Sequence, residues 1–303
     1  MIIVTSGLSY LDIDAYAGVI AYAELLKKQG KQAIAVSTAP LNESVSVSVR
    51  SWNAPIKTTF TPSEDDKFAL VDVSDPTYFD KIVNLANVSE VIDHHPGFES
   101  YWQQRIRDDA HIEFIGAACT IVYELWKSAD LLELMSIVSA RLLICGVLDN
   151  TLNFGAKITT QRDIDAYNAL RAIADLPDDW AAQYFTECQE AILHDAVAAI
   201  QNDTKTVTFK SFGRPICFGQ LGVWDGKQVL AKHIDTLRKA LTAQRPEWFM
   251  NLISVGERKS YFVADNINVQ KCLTKLLDVQ FNGSVATADR LWLRKEVIKQ
   301  DMQ

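Results

Sequence analysis

Short apolar, β-branched runs alternate with stretches of helical periodicity through the first half of the chain. Ile2–Thr5 reads as a buried strand. Ala15–Lys28 carries apolar residues at helical spacing, and Gly30 ends that pattern. Ala33–Ser37, Phe68–Val73 and Glu90–Asp93 read as further strands, with Pro76 at a first helical position after the third. Helical patterns follow over Cys119–Ala129, Leu131–Leu148 and Thr160–Ala174. Strands interleaved with helices in this way imply a doubly wound, mostly parallel sheet with helices on both faces.

Leu176-Pro-Asp-Asp179 interrupts the pattern, and Trp180–Gln201 then reads as a helix that carries the domain boundary. Beyond it, strands at Thr206–Phe212, Pro215–Leu221, Phe249–Ser254 and Ser260–Asp265 surround a helical stretch at Lys227–Ala243. The expected organisation is an α/β domain over residues 1–187 and a smaller α+β domain over residues 188–303. There is no internal repeat and no low-complexity tract.

Composition narrows the partners. A chain of 303 residues accommodates two domains with ample core. A formal net charge of -8 argues against a nucleic-acid duplex or an anionic membrane as the main partner. It leaves a small anionic substrate open, because bound cations reverse the sign inside a cleft. Cys119, Cys145, Cys188, Cys217 and Cys272 are scattered and form no CxxC pair, which suits free thiols in a reducing compartment. The opening Met-Ile-Ile-Val-Thr-Ser has no basic region, and no run reaches the ~20 apolar residues of a membrane span. The expected location is the cytoplasm.

Functional groups in open α/β sheets collect beyond the carboxyl ends of the strands, and four polar clusters stand at such places. Asp12-Ile-Asp14 follows the first strand; two carboxylates so spaced can face one hard cation or two, or Asp14 can simply cap the next helix. Asp72-Val-Ser-Asp75 closes the third strand, and Asp72 lies in an apolar run where a carboxylate needs a partner or a metal. Asp75, just before Pro76, suits a cap better. Asp93-His94-His95 ends the fourth strand, with two of the five histidines adjacent and a carboxylate beside them to set their tautomers. Asp149 directly follows the apolar helix Leu131–Leu148, where a lone Asp is ordinarily solvated. A set of many carboxylates and few imidazoles suits Mn²⁺ or Mg²⁺ better than zinc.

The order of these clusters resembles the DHH phosphoesterase superfamily, in the DHHA2 branch that holds manganese-dependent (family II) inorganic pyrophosphatases and exopolyphosphatases. The likeness is carried by Leu11-Asp-Ile-Asp14, Leu70-Val-Asp72, Val91-Ile-Asp-His-His95, Gly116-Ala-Ala-Cys-Thr-Ile-Val-Tyr-Glu-Leu125 and Leu148-Asp-Asn-Thr-Leu-Asn-Phe154. Asp203-Thr-Lys205, Phe218-Gly-Gln-Leu and Leu293-Arg-Lys295 extend it into the second half. The Gly-Gly-Gly-His element of the DHHA1 nuclease branch is absent, which favours phosphoanhydrides over oligonucleotides.

The resemblance implies that Asp12, Asp14, Asp72, His94 and Asp149 bind two Mn²⁺ (or Mg²⁺ or Co²⁺) ions, with Asp72 bridging. It implies that Asp93 supports the histidines and that His95 touches the substrate phosphate and protonates the leaving oxygen. Lys205, Arg294 and Lys295 would grip phosphates from the second domain, closing over a cleft between the two. Relatives are often homodimers. Two departures stand out: pyrophosphatases carry His where this chain has Leu8, and Lys where it has Glu296. The expected activity is hydrolysis of pyrophosphate or short inorganic polyphosphate. The alternatives are another phosphoanhydride or ester, such as a nucleoside polyphosphate, and a degenerate phosphate-binding regulator.

Overall fold

The computed structural model describes residues 1–302. The chain divides into two compact units, Met1–Ala181 and Ala182–Gln303.

The first unit is built on strands β1 (Ile2–Thr5), β2 (Ala33–Ala35), β3 (Lys67–Val71), β4 (Val88–Asp93) and β5 (Ala110–Ile112). They lie in the order β2-β1-β3-β4-β5, every neighbouring pair parallel. Ile2 pairs with Ala33 on one side and Lys67 on the other, which sets the carboxyl ends of β1 and β3 side by side. Phe68, Ala69, Leu70 and Val71 are wholly buried, as strands covered on both faces require. The helices are α1 (Ile13–Lys28), α2 (Val47–Ser51), α3 (Glu99–Ile106), α4 (Ala118–Ser128), α5 (Ile137–Asn150) and α6 (Gln161–Ala174), followed by α7 (Trp180–His194). The division between the units falls inside α7, as does the expected boundary at 187/188.

Helix α1 is buried almost all round and packs on α4 and α5. Asp12 caps it, accepting from Ala15 N at 3.0 Å. Three readings need correction. The stretch Leu131–Leu148 is not one helix: a 3-10 turn at Leu132–Leu134 precedes α5, whose N-cap Ser136 accepts from Ser139 N at 3.1 Å. Asp149 therefore lies within the last turn of α5 rather than after it. The stretch Trp180–Gln201 breaks at Asp195, which accepts from Ala198 N at 2.9 Å and so starts α8 (Ala196–Asn202).

In the second unit, β6 (Thr204–Phe209), β7 (Arg214–Val223), α9 (Gly226–Gln244), β8 (Trp248–Ser254), β9 (Lys259–Val263), α10 (Ile267–Leu277), β10 (Phe281–Asn282), β11 (Val285–Ala288) and α11 (Arg294–Met302) follow. The sheet order is β10-β11-β9-β8-β7-β6. Only β7 and β8 run parallel, because α9 serves as their crossover. The two faces carry separate apolar cores: one joins Leu221, Leu252 and Tyr261 to α8 and α9, the other joins Phe218, Phe249 and Phe262 to α10 and α11. Among the described residues no helix is long and apolar enough to cross a membrane.

Candidate metal centre

Parallel strands deliver their following loops to one edge of the sheet, so the exits of β1, β3 and β4 are neighbours. The loop after β1 ends at Asp12, with Asp14 in the first turn of α1, the loop after β3 begins with Asp72, and β4 ends on Asp93 before His94 and His95. Asp80 ties the loop after β3 to those after β1 and β2: its carboxylate accepts from Thr38 N at 2.8 Å, and its own N–H donates to Ser6 O at 3.1 Å.

His94 is 4% exposed, and its Nδ1 lies 3.1 Å from the carbonyl oxygen of Ile115. A carbonyl only accepts, so Nδ1 carries the proton and Nε2 keeps its lone pair. Nε2 stands 3.4 Å from Asp72 Oδ1 and 3.9 Å from Asp14 Oδ2. Both Nε2 and Asp72 Oδ1 are buried and have no hydrogen-bond partner. Two facing acceptor atoms without a proton between them repel each other, and a buried polar atom without a partner is costly. A cation resolves both problems. One ligand atom each of Asp72, His94 and His95 falls within 4.8 Å of the others, so these three residues can hold a metal ion.

The carboxylates crowd one another. Asp72 has a positive φ of 61°, a turn that Asp and Asn tolerate best, and its N–H donates to Ile92 O at 2.8 Å. Burial, then the charges of Asp12 and Asp14, push the Asp72 carboxyl well above its usual pKa. Burial likewise raises Asp12, against the hydrogen bond from Ala15. Asp14 is wholly buried and accepts from Ala118 N and Cys119 N at 2.8 Å each. The N-cap of α4 is Ala117, which has no side-chain cap, so Asp14 takes its place. The reading of Asp14 as the cap of the helix after β1 is therefore corrected: Asp12 caps α1, while Asp14 caps α4 and lies 3.9 Å from His94 Nε2.

Asp93 accepts from His94 N at 2.8 Å, His95 N at 3.2 Å and His95 Nδ1 at 2.8 Å. Burial opposes its ionisation, but the bond and charge of His95, a bond from Ser74 and the charge of His94 together outweigh it and hold the Asp93 carboxyl below its usual pKa. For His95, partial desolvation opposes protonation, yet the Asp93 hydrogen bond and the Asp72 charge outweigh it and raise the pKa. With Nδ1 bound to Asp93, His95 has Nε2 left for an external oxygen, and its side chain is 59% exposed.

Asp149 lies one turn beyond Gly146 on α5, on the same face. A Cβ built on Gly146 would lie 3.0 Å from Asp14 Oδ1 and would collide with Cys119 Sγ, so α5 approaches the site as closely as a residue without a side chain permits. Leu8 lies in the loop after β1, held by its N–H to Tyr78 O at 2.8 Å.

The remaining candidates belong to the second unit. Arg294 Nη2 lies 2.7 Å from Asp203 Oδ1, and its guanidinium is 5.3 Å from the centre of the Phe218 ring. Phe218 pairs with Lys205 across β6 and β7, so the structure brings Lys205, Asp203 and Arg294 together. Lys295 is exposed beside them in sequence. Glu296 turns inward: it accepts from Leu293 N at 2.8 Å and pairs with Arg290 at 2.6 Å. Its charge is matched by Arg290, in the segment leading into α11.

Sequence reasoning missed the backbone partners of the site, namely Ile115 O and the N–H groups of Ala118 and Cys119. The small-residue run Gly116-Ala-Ala was the available signal, since close backbone approach demands small side chains.

Known proteins share this sequence and fold. The DHH family, N-terminal domain, matches residues 2–147. A probable manganese-dependent inorganic pyrophosphatase of Bacillus licheniformis is 29% identical over 295 residues, covering 95% of this chain and 93% of the relative. Another from Enterococcus faecalis is 27% identical over 239 residues, covering 77% of this chain and 74% of the relative. In fold, the chain resembles a Methanococcus jannaschii protein assigned to the family II inorganic pyrophosphatases, with a TM-score of 0.67 at 18% identity over the whole of both chains. An exopolyphosphatase-related protein from Bacteroides fragilis has a TM-score of 0.54 at 12% identity, covering 99% of this chain and 89% of that one. The parallel sheet and the acidic and histidine residues at its strand ends thus lie in the part of the chain, residues 2–147, that is similar to the DHH family, N-terminal domain.

Proposed function

We propose that this protein is a manganese-dependent phosphohydrolase that cleaves the phosphoanhydride bond of pyrophosphate or short inorganic polyphosphate. The observation that carries the reading is the pair His94 Nε2 and Asp72 Oδ1, buried, 3.4 Å apart and without hydrogen-bond partners. Asp12, Asp14, Asp72, His94 and Asp149 are assigned to two divalent ions, with Asp72 shared. Such ions, when bound, activate water as a nucleophile and neutralise phosphoryl oxygens.

The residues of the chain do the rest. Asp93 fixes the His95 ring through Nδ1 at 2.8 Å and favours its protonated form. His95 is then set to bind a phosphate oxygen through Nε2–H and to protonate the leaving oxygen. Lys205, Arg294 and Lys295 are assigned to the substrate phosphates, the guanidinium of Arg294 being suited to a bidentate contact although it meets Asp203 here through Nη2 alone. The substrate is a small anion rather than nucleic acid, and five scattered cysteines without a CxxC pair suit a cytoplasmic protein.

A second reading is hydrolysis of a longer or organic phosphoanhydride. Leu8, which offers no ligand atom, favours it; Glu296 no longer does, because Arg290 matches its charge. Phosphate release from pyrophosphate, tripolyphosphate, long polyphosphate and ATP, each with Mn²⁺, Mg²⁺, Co²⁺ or chelator, separates the two. Fastest turnover of pyrophosphate or tripolyphosphate with Mn²⁺ supports the first reading. Preference for ATP supports the second, and no turnover with any metal removes both in favour of a binding role.

A further inference from the structure

One segment, residues 115–120, serves both His94 and Asp14. Ile115 O accepts from His94 Nδ1 at 3.1 Å and so sets which nitrogen faces the metal. Ala118 N and Cys119 N donate to the two oxygens of Asp14. Nothing in this segment anchors itself, since its helix cap, Ala117, has no side-chain bond to offer.

The anchor is Asp163, a wholly buried carboxylate in the first turn of α6. Its Oδ2 accepts from Gly116 N at 3.2 Å, and its Oδ1 accepts from Thr120 Oγ1 at 2.6 Å. These two bonds grip the segment at positions flanking Ala118 and Cys119. Capping of α6 accounts only for its other bonds, to Thr160 N at 2.7 Å and Thr160 Oγ1 at 2.8 Å. The contact is as close as backbone allows, because a Cβ on Gly116 would lie 2.6 Å from Asp163 Oδ2.

We infer that Asp163 is a positioning residue for the metal centre, clasping residues 115–120 so that His94 and Asp14 are held in register. The inference rests on the metal-site reading proposed above. Partners that orient ligands from behind typically change metal affinity by about 10–100-fold when removed. Asn fits the same volume, but its amide end cannot accept, so Asp163→Asn loses at least one of its bonds. Thr120→Val deletes the clasp hydroxyl alone, and Thr120→Ser restores it.

The test uses the full-length protein and two readouts. Free Mn²⁺ is followed by electron paramagnetic resonance to give affinity, and amide hydrogen exchange at Ala118 and Cys119 is followed in chelator. Expected are roughly 10-fold or greater losses of Mn²⁺ affinity in Asp163→Asn and Thr120→Val, faster exchange at both amides, and near wild-type behaviour in Thr120→Ser. Should Asp163→Asn fail to fold, Thr120→Val with its Ser rescue carries the same comparison. Folded variants with wild-type affinity and exchange would overturn the inference and leave Asp163 a helix cap. If the wild type binds no Mn²⁺, the metal reading fails, and the exchange data report separately whether the clasp exists.

Discussion

His94 Nδ1 donates to Ile115 O at 3.1 Å, and the opposite nitrogen of the same ring therefore faces Asp72 Oδ1 at 3.4 Å. The ring is committed to this tautomer before any ligand arrives, so a metal finds its nitrogen ligand ready.

Manganese should accordingly stabilise the first unit. At a free concentration about 100 times the Kd, binding adds about 2.7 kcal/mol. With roughly 2–4 °C per kcal/mol for a unit of this size, the melting midpoint should rise by several degrees. Calorimetry with Mn²⁺ against chelator checks it; an unchanged midpoint at saturating Mn²⁺ would contradict the site.

Asp72→Asn should stabilise the metal-free protein while abolishing the response to manganese. Asn tolerates the φ of 61° and carries no charge to repel Asp12 and Asp14. The sign follows from the raised pKa: the folded state holds the Asp72 proton more tightly than the unfolded chain, so wild-type stability falls as pH climbs from 3.8 through the folded value. The variant should lack that fall, so its advantage over the wild type should be larger at pH 8 than at pH 5. Urea melts in chelator at pH 5 and pH 8 measure the difference.

Gly146→Ala should cost about 1–3 kcal/mol, since the new methyl meets Cys119 Sγ and lies 3.0 Å from Asp14 Oδ1. Adding Cys119→Ala removes the colliding sulfur and should recover part of the loss. Denaturant midpoints of the single and double variants decide it, and a neutral single variant would mean that α5 shifts without penalty.

Glu296→Lys should damage the second unit rather than repair a phosphate site. The substitution removes the carboxylate that takes Leu293 N at 2.8 Å and sets an ammonium against Arg290. A loss of about 1–2 kcal/mol is expected with no fall in KM for pyrophosphate. A lowered KM would show that position 296 faces substrate after all.

Glu257 supplies a pH test within the second unit. Burial opposes its ionisation, but bonds from Ser254 Oγ at 2.7 Å, Lys227 Nζ at 3.0 Å and Tyr261 Oη at 3.0 Å outweigh it and lower its pKa. Its contribution is thus present above the unfolded value of 4.5 and is lost as pH falls through the folded value. Glu257→Gln should cost about 1–2 kcal/mol at pH 7, and the gap to wild type should narrow below pH 4.5. A gap that stays constant with pH would assign the effect to packing.

The sequence alone determined four of the five strands of the first sheet, though not the short edge strand β5 (Ala110–Ile112), and the acidic or histidine residues at their exits. Apolar runs such as Phe68–Val71 are continuous because the strand is buried on both faces, and a charged residue ending such a run is conspicuous. It determined neither the break before α5 nor the one at Asp195, because side-chain caps there compete with continuous helical patterns. Only the tertiary structure decided which atoms surround the site. Ile115 O, Ala118 N and Cys119 N act through the backbone, which is alike in every sequence. Asp163 lies 47 residues from Gly116 and 43 from Thr120, and only the packing of α6 brings its carboxylate to them. The charge of Glu296 was legible, but its direction was not, since the Arg290 contact that turns it inward depends on how the chain enters α11. Local pattern reports what a residue can do; the fold chooses the partners, because hydrogen bonds and metal ligation depend on ångström-scale geometry that spacing along the chain does not encode.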